Sequence, residues 1–145
     1  MKRALSLTVF VLLVTAATFA PAQENKDDAA KVFPPCVVKT EPENRAMDVD
    51  PDLREIKVTF DRPMNVNRSW SWITYPDLGA YPGDRALGEP QWEDDGKTCV
   101  LPVRLRAGTV YAVGCNTFRH TGFRDRKGRI AVPHVWMFKT KAADE

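Results

Sequence analysis

The run Leu105-Arg106-Ala107-Gly108-Thr109-Val110-Tyr111 constrains the fold more than any other part of this chain. Two segments of alternating apolar and polar residues flank it, and Ala107-Gly108 supplies the break between them. A tyrosine just past such a break, at the start of a strand, can return its hydroxyl to the backbone of the loop it has left and pin a crossing from one sheet to another. The chain therefore reads as two packed β-sheets, and the run carries no chemistry of its own.

The flanking pattern supports this. Glu55 to Asp61 places Ile56, Val58 and Phe60 on one face and Glu55, Lys57, Thr59 and Asp61 on the other, the period of a half-buried strand. Thr98 to Arg106 turns Cys99, Leu101, Val103 and Leu105 inward, with Pro102 outward, which suggests an edge strand or a bulge. Tyr111 to Cys115 turns Tyr111, Val113 and Cys115 inward, and His134 to Thr140 aligns Trp136 with Phe138. Cys36 to Thr40 makes a first strand. Ser69 to Thr74 makes a third, with Trp70 as its core tryptophan. Turn signals such as Asp50-Pro51, Pro82-Gly83, Asp95-Gly96 and Lys127-Gly128 separate these runs, and no convincing amphipathic helix lies among them. The expected fold is an all-β, immunoglobulin-like or fibronectin-III-like sandwich of about seven antiparallel strands.

Residues 1–22 have the pattern of a secretory signal peptide: Lys2 and Arg3, an apolar run around Val9 to Val14, and Ala20-Pro21-Ala22 as the cleavage site. Residues 23–34 form a polar, flexible leader, 35–141 the sandwich and 142–145 a tail. Removing residues 1–22 takes away two basic residues and no acid, leaving 19 basic against 19 acidic residues. A neutral domain gives no support to nucleic-acid binding, and no membrane span is expected after cleavage. Export places the protein in the periplasm, at the cell surface or outside the cell, where disulfides persist.

Three segments and a closing strand resemble a known family. They are Val37-Val38-Lys39-Thr40-Glu41-Pro42-Glu43-Asn44 with Asp48-Val49-Asp50-Pro51; Ile56-Lys57-Val58-Thr59-Phe60-Asp61-Arg62-Pro63-Met64; and Asp95-Gly96-Lys97-Thr98 through Tyr111. The last strand is Trp136-Met137-Phe138-Lys139-Thr140. Together they are similar to the bacterial Ig-like domains of S-layer and other cell-envelope proteins. That resemblance implies structural or binding work without catalysis, on an envelope protein or polysaccharide. Two positions depart from the family pattern. Arg45 stands where a glycine is usual, so that Asn44 is expected to take any positive φ, and Ala107 stands where a proline is usual.

Few residues suggest chemistry. Cys99 and Cys115 are expected at the same height in facing sheets, as a candidate disulfide or as two buried thiols, with Cys36 left over. His120 and His134 share no metal-ligand spacing with other residues. Asp48, Asp50 and Asp52 resemble the opening of a calcium loop without its glycine or closing glutamate. No nucleophile and base can be paired, and no cofactor is expected. A periplasmic copper carrier with a related sandwich is the alternative reading, although those carriers use an N-terminal histidine and this mature chain would begin at Gln23. The candidate binding surface comprises an aromatic segment, Trp72, Tyr75 and Tyr81, and a basic loop, Arg119, Arg124, Arg126, Lys127 and Arg129.

Overall fold

A computed structural model describes residues 32–143. Seven strands form two antiparallel sheets: β1 (Val37–Glu41), β2 (Glu55–Phe60), β3 (Trp72–Thr74), β4 (Gln91–Trp92), β5 (Thr98–Pro102), β6 (Val110–Cys115) and β7 (His134–Lys139). One sheet has the order β1-β2-β5-β4 and the other β3-β6-β7. This is the division of strands seen in the constant-type immunoglobulin sandwich. The expected signal peptide, residues 1–22, and most of the expected leader lie outside the described residues.

Alternation determines which side chains meet between the sheets. Ile56, Val58 and Phe60 from β2, Cys99 and Leu101 from β5, Tyr111, Val113 and Cys115 from β6, and Trp136 and Phe138 from β7 are all buried. Each full-sized apolar side chain among them contributes about 1.5–3 kcal/mol by leaving water. Phe123, from the loop after β6, joins an aromatic cluster at one end of this core. Its ring centroid lies 5.1 Å from Phe60, 5.5 Å from Trp72 and 5.9 Å from Trp92.

At the opposite end the tyrosine corner is formed. The Tyr111 hydroxyl accepts the Arg106 backbone N–H at 2.7 Å. Thr140 closes the same loop, donating its hydroxyl to the Arg106 carbonyl and accepting the Thr109 N–H. Gly108 takes the left-handed conformation there, with φ of 63°, which glycine adopts without steric cost.

Several expectations are corrected. The third strand begins only at Trp72, whose ring lies 5.9 Å from Trp136, and Trp72 and Trp70 are both half-buried against the core. Trp70 precedes the strand and escapes its alternation. β5 is an interior strand by order, but β4 pairs only with Cys99 and Val100, so at Pro102 the outer side of β5 is bordered by a loop, whose Asp84 N–H donates to the Pro102 carbonyl. β4 itself is too short to announce itself by period. Arg45, rather than Asn44, takes the positive φ, at 69°. Asn44 is held instead by its side chain, whose Oδ1 accepts the Met137 N–H, while Arg45 N–H donates to the Met137 carbonyl. These bonds cover the outer edge of β7. A covered edge cannot template pairing with another chain.

Candidate functional site

The two groups of candidate residues meet different fates. In the loop from Asn116 to Pro133, between β6 and β7, most polar side chains serve the loop. Asn116 is fully buried and donates to the carbonyls of Phe123 and Ala131 while accepting the Phe123 N–H. Asp125 is 3 % exposed and accepts the backbone N–H groups of Lys127 and Arg129 and the Arg129 guanidinium at 2.7 Å. Burial alone would raise the Asp125 pKa, but these donors outweigh it and hold the carboxyl below its ordinary value. The Arg124 guanidinium binds the carbonyl and hydroxyl of Thr121. Arg119 lies over the exposed Phe118 ring at 5.2 Å. Of the expected basic surface, Arg124 and Arg129 thus stabilise their own loop, while Arg119, Arg126 and Lys127 make no ion pair among the described residues.

The aromatic segment behaves differently. Ser69 and Ser71 fasten it to the same loop: the Ser69 hydroxyl donates to the Gly122 carbonyl, and Gly122 N–H donates to the Ser71 hydroxyl at 2.7 Å. A side chain on Gly122 would collide with the Trp70 carbonyl, so glycine is required for this close approach. Trp70 is thereby fixed between two depressions. One, of about 360 Å³, is bounded by Trp70, Tyr81, Arg85, Leu101 and His120. The other, of about 500 Å³, is bounded by Trp70, Trp92, Asp94 and Arg126, and Pro90 borders both.

The Tyr81 ring packs against Gly83, where an added Cβ would come within 2.6 Å of it. Burial raises the Tyr81 pKa, partly offset by the nearby Arg85 charge. Asp84 caps the short 3₁₀ turn Arg85–Leu87 by accepting the Ala86 N–H and pairs with Arg104 at 3.0 Å. Arg85 has no ion-pair partner among the described residues. Of the expected aromatic contacts, Trp72 packs against the core and also lines the first depression, and Tyr75 packs against Gly114 on the outer face of β6. Tyr81 borders the cleft. Trp70, Arg85 and His120 were missed as a group because long-range contacts unite them. The Asp84-Arg85-Ala86 cap was the only local signal.

The three cysteines are free thiols in this structure, the candidate pair Cys99 and Cys115 among them. Both thiols are buried, on opposing sheets. Burial pushes Cys99 up to about 12 against a smaller downward pull from the Trp72 indole, and it raises Cys115 well above its usual value. Such thiols are poor nucleophiles. Among the described residues, no three His, Cys, Asp or Glu side chains converge on a point that could hold a metal. Burial lowers the His134 pKa, and its ring packs 6.0 Å from Trp136 at the core margin. Asp50 accepts the Asp52 N–H in a local turn, and Asp52 pairs with Arg54. No helix among the described residues is long and apolar enough to cross a membrane.

A sequence model described as the bacterial Ig-like domain matches residues 31–140. Among solved structures, CopC from Methylosinus trichosporium OB3b is similar with a TM-score of 0.53 and 14% identity, over 77% of this chain and 97% of that one. The N-terminal part of the bacterial S-layer protein SbsC gives 0.50 and 18%, over 80% of this chain and 26% of that one. The chain thus spans about a quarter of that S-layer structure. At these identities the likeness is one of fold. No curated protein matches the sequence.

Proposed function

From the premise that the chain belongs to the bacterial Ig-like domain family, we propose that it is an exported, non-catalytic module that binds or spaces another component of the bacterial cell envelope. The contact surface is the loop end around Trp70. The observation that carries this reading is the contrast between a tightly bonded sandwich and the open depressions on either side of Trp70. A rigid scaffold that presents an aromatic side chain in a concave surface is suited to binding.

Affinity capture tests the proposal. The immobilised mature domain should retain an envelope component from its native source, and the Trp70→Ala variant should retain much less. Equal retention by both proteins would remove Trp70 from the contact surface, and no retention by the wild type would remove the binding role. The copper-carrier alternative makes the opposite prediction in native mass spectrometry, where a carrier shows a stoichiometric metal and a binding module shows none.

A further inference from the structure

The cleft between Trp70 and Tyr81 combines groups that are individually ordinary and jointly selective. Trp70 and Tyr81 give it aromatic walls, and Leu101 is part of its lining. An aromatic face accommodates the C–H surface of a ring-shaped polar molecule, burying area at little entropic cost because two torsions fix each aromatic side chain.

The polar groups are unequal in sign. Asp84 already accepts the Ala86 N–H and the Arg104 guanidinium. It is therefore neutralised and occupied. Arg85, next to it in sequence, keeps its guanidinium without an ion pair among the described residues, close enough to lower the pKa of the Tyr81 hydroxyl. His120 uses Nδ1 toward the Thr117 hydroxyl at 3.3 Å, which leaves its Nε2 available at the rim. The cleft thus offers aromatic walls together with one uncompensated planar cation, whose fork of donors matches a carboxylate.

We propose that this cleft binds an acidic sugar residue, a uronate unit of an envelope polysaccharide, with the pyranose ring against Trp70 and Tyr81 and the carboxylate on Arg85. The proposal rests on the binding-module reading and assigns its ligand class. The second depression continues past Trp70 to Arg126, so a linear polymer has a path across the tryptophan, although Asp94 in that depression makes it less favourable for a further acid group.

Isothermal titration of the mature protein with tetramers of galacturonate and of mannuronate, and with neutral maltotetraose, tests the assignment. At least one uronate tetramer should bind, and maltotetraose should bind at least about tenfold more weakly, the scale of a lost hydrogen-bonded charge contact. Arg85→Ala should remove most of that preference. Trp70→Ala should weaken all saccharides by about tenfold or more, with Trp70→Phe recovering part of the loss. Unchanged melting temperatures would show that the variants remain folded; a variant that melts early is replaced by Arg85→Gln or Trp70→Leu. The assignment is overturned if neither uronate binds, if the neutral tetramer binds equally well, or if binding is indifferent to Trp70 and Arg85. Retained capture of an envelope component alongside failed uronate binding would overturn the ligand class and leave the module reading intact. Failure of both would overturn both.

Discussion

The loop between β6 and β7 and the segment from Tyr75 to Pro90 make an instructive pair. Both are long, both carry charged and aromatic residues, and both meet at Trp70. The β6–β7 loop turns its polar atoms inward: Asn116 bridges Phe123 and Ala131, and Asp125 gathers Lys127 and Arg129. The Tyr75–Pro90 segment satisfies Asp84 but leaves Arg85 and the Tyr81 ring on an open cleft. A loop that binds its own charges becomes a scaffold, whereas a neighbour that does not keeps polar groups open to solvent. The number of charged residues in a loop therefore says little about what it can bind.

Asn116→Ala is the severest test of this contrast. It removes three buried hydrogen bonds and places alanine at a φ of 59°, so unfolding in denaturant should show a loss of about 4 kcal/mol. A loss below about 1 kcal/mol would mean that the loop is not the scaffold it resembles.

Asp125→Asn should cost less, about 2–3 kcal/mol, because it leaves the Arg129 charge poorly paired while keeping part of the hydrogen bonding. Since the folded Asp125 pKa is depressed, its stabilising effect is fully present above the unfolded value near 4 and is lost as pH falls through the folded value. Unfolding curves between pH 5 and pH 2 should therefore steepen the acid loss in the wild type relative to Asp125→Asn. Identical acid limbs would refute the assignment.

Gly122→Ala addresses the junction of the two regions. Its added methyl meets the Trp70 backbone, and a loss of about 2 kcal/mol is expected from overpacking, with perturbed fluorescence from the displaced Trp70. The smallest effect belongs to Arg126→Ala and Lys127→Ala, whose side chains make no ion pair among the described residues. Each should change stability by less than about 0.5 kcal/mol. A larger change in thermal unfolding would show that the basic loop depends on all its charges.

Much of the fold was legible because strand period is a local property. Ile56, Val58 and Phe60 alternate in sequence and are buried together, and the Tyr111 corner was marked by its own turn. The β4 pair Gln91 and Trp92 was not legible, since two residues hold too little alternation. Trp70 and Trp72 both pack against the core, but not from one strand face: period assigns a common face only within a strand, and the strand starts at Trp72. The candidate site was only partly legible. Tyr81 was expected at a surface and borders the cleft, whereas Arg124 and Arg129 were expected to face partners and instead bind Thr121 and Asp125.

The sequence by itself determined an all-β sandwich, its inward residues, its tyrosine corner and its family likeness, because backbone period, turn chemistry and apolar patterning act between near neighbours. Only the tertiary structure decided which polar groups are already satisfied. Arg85 and Arg129 look alike in the sequence, but Arg129 folds back on Asp125 while the acid beside Arg85 is held by Arg104. The difference is physical: a side chain is available for a ligand only where no group of its own protein has reached it first, and that depends on contacts across the chain.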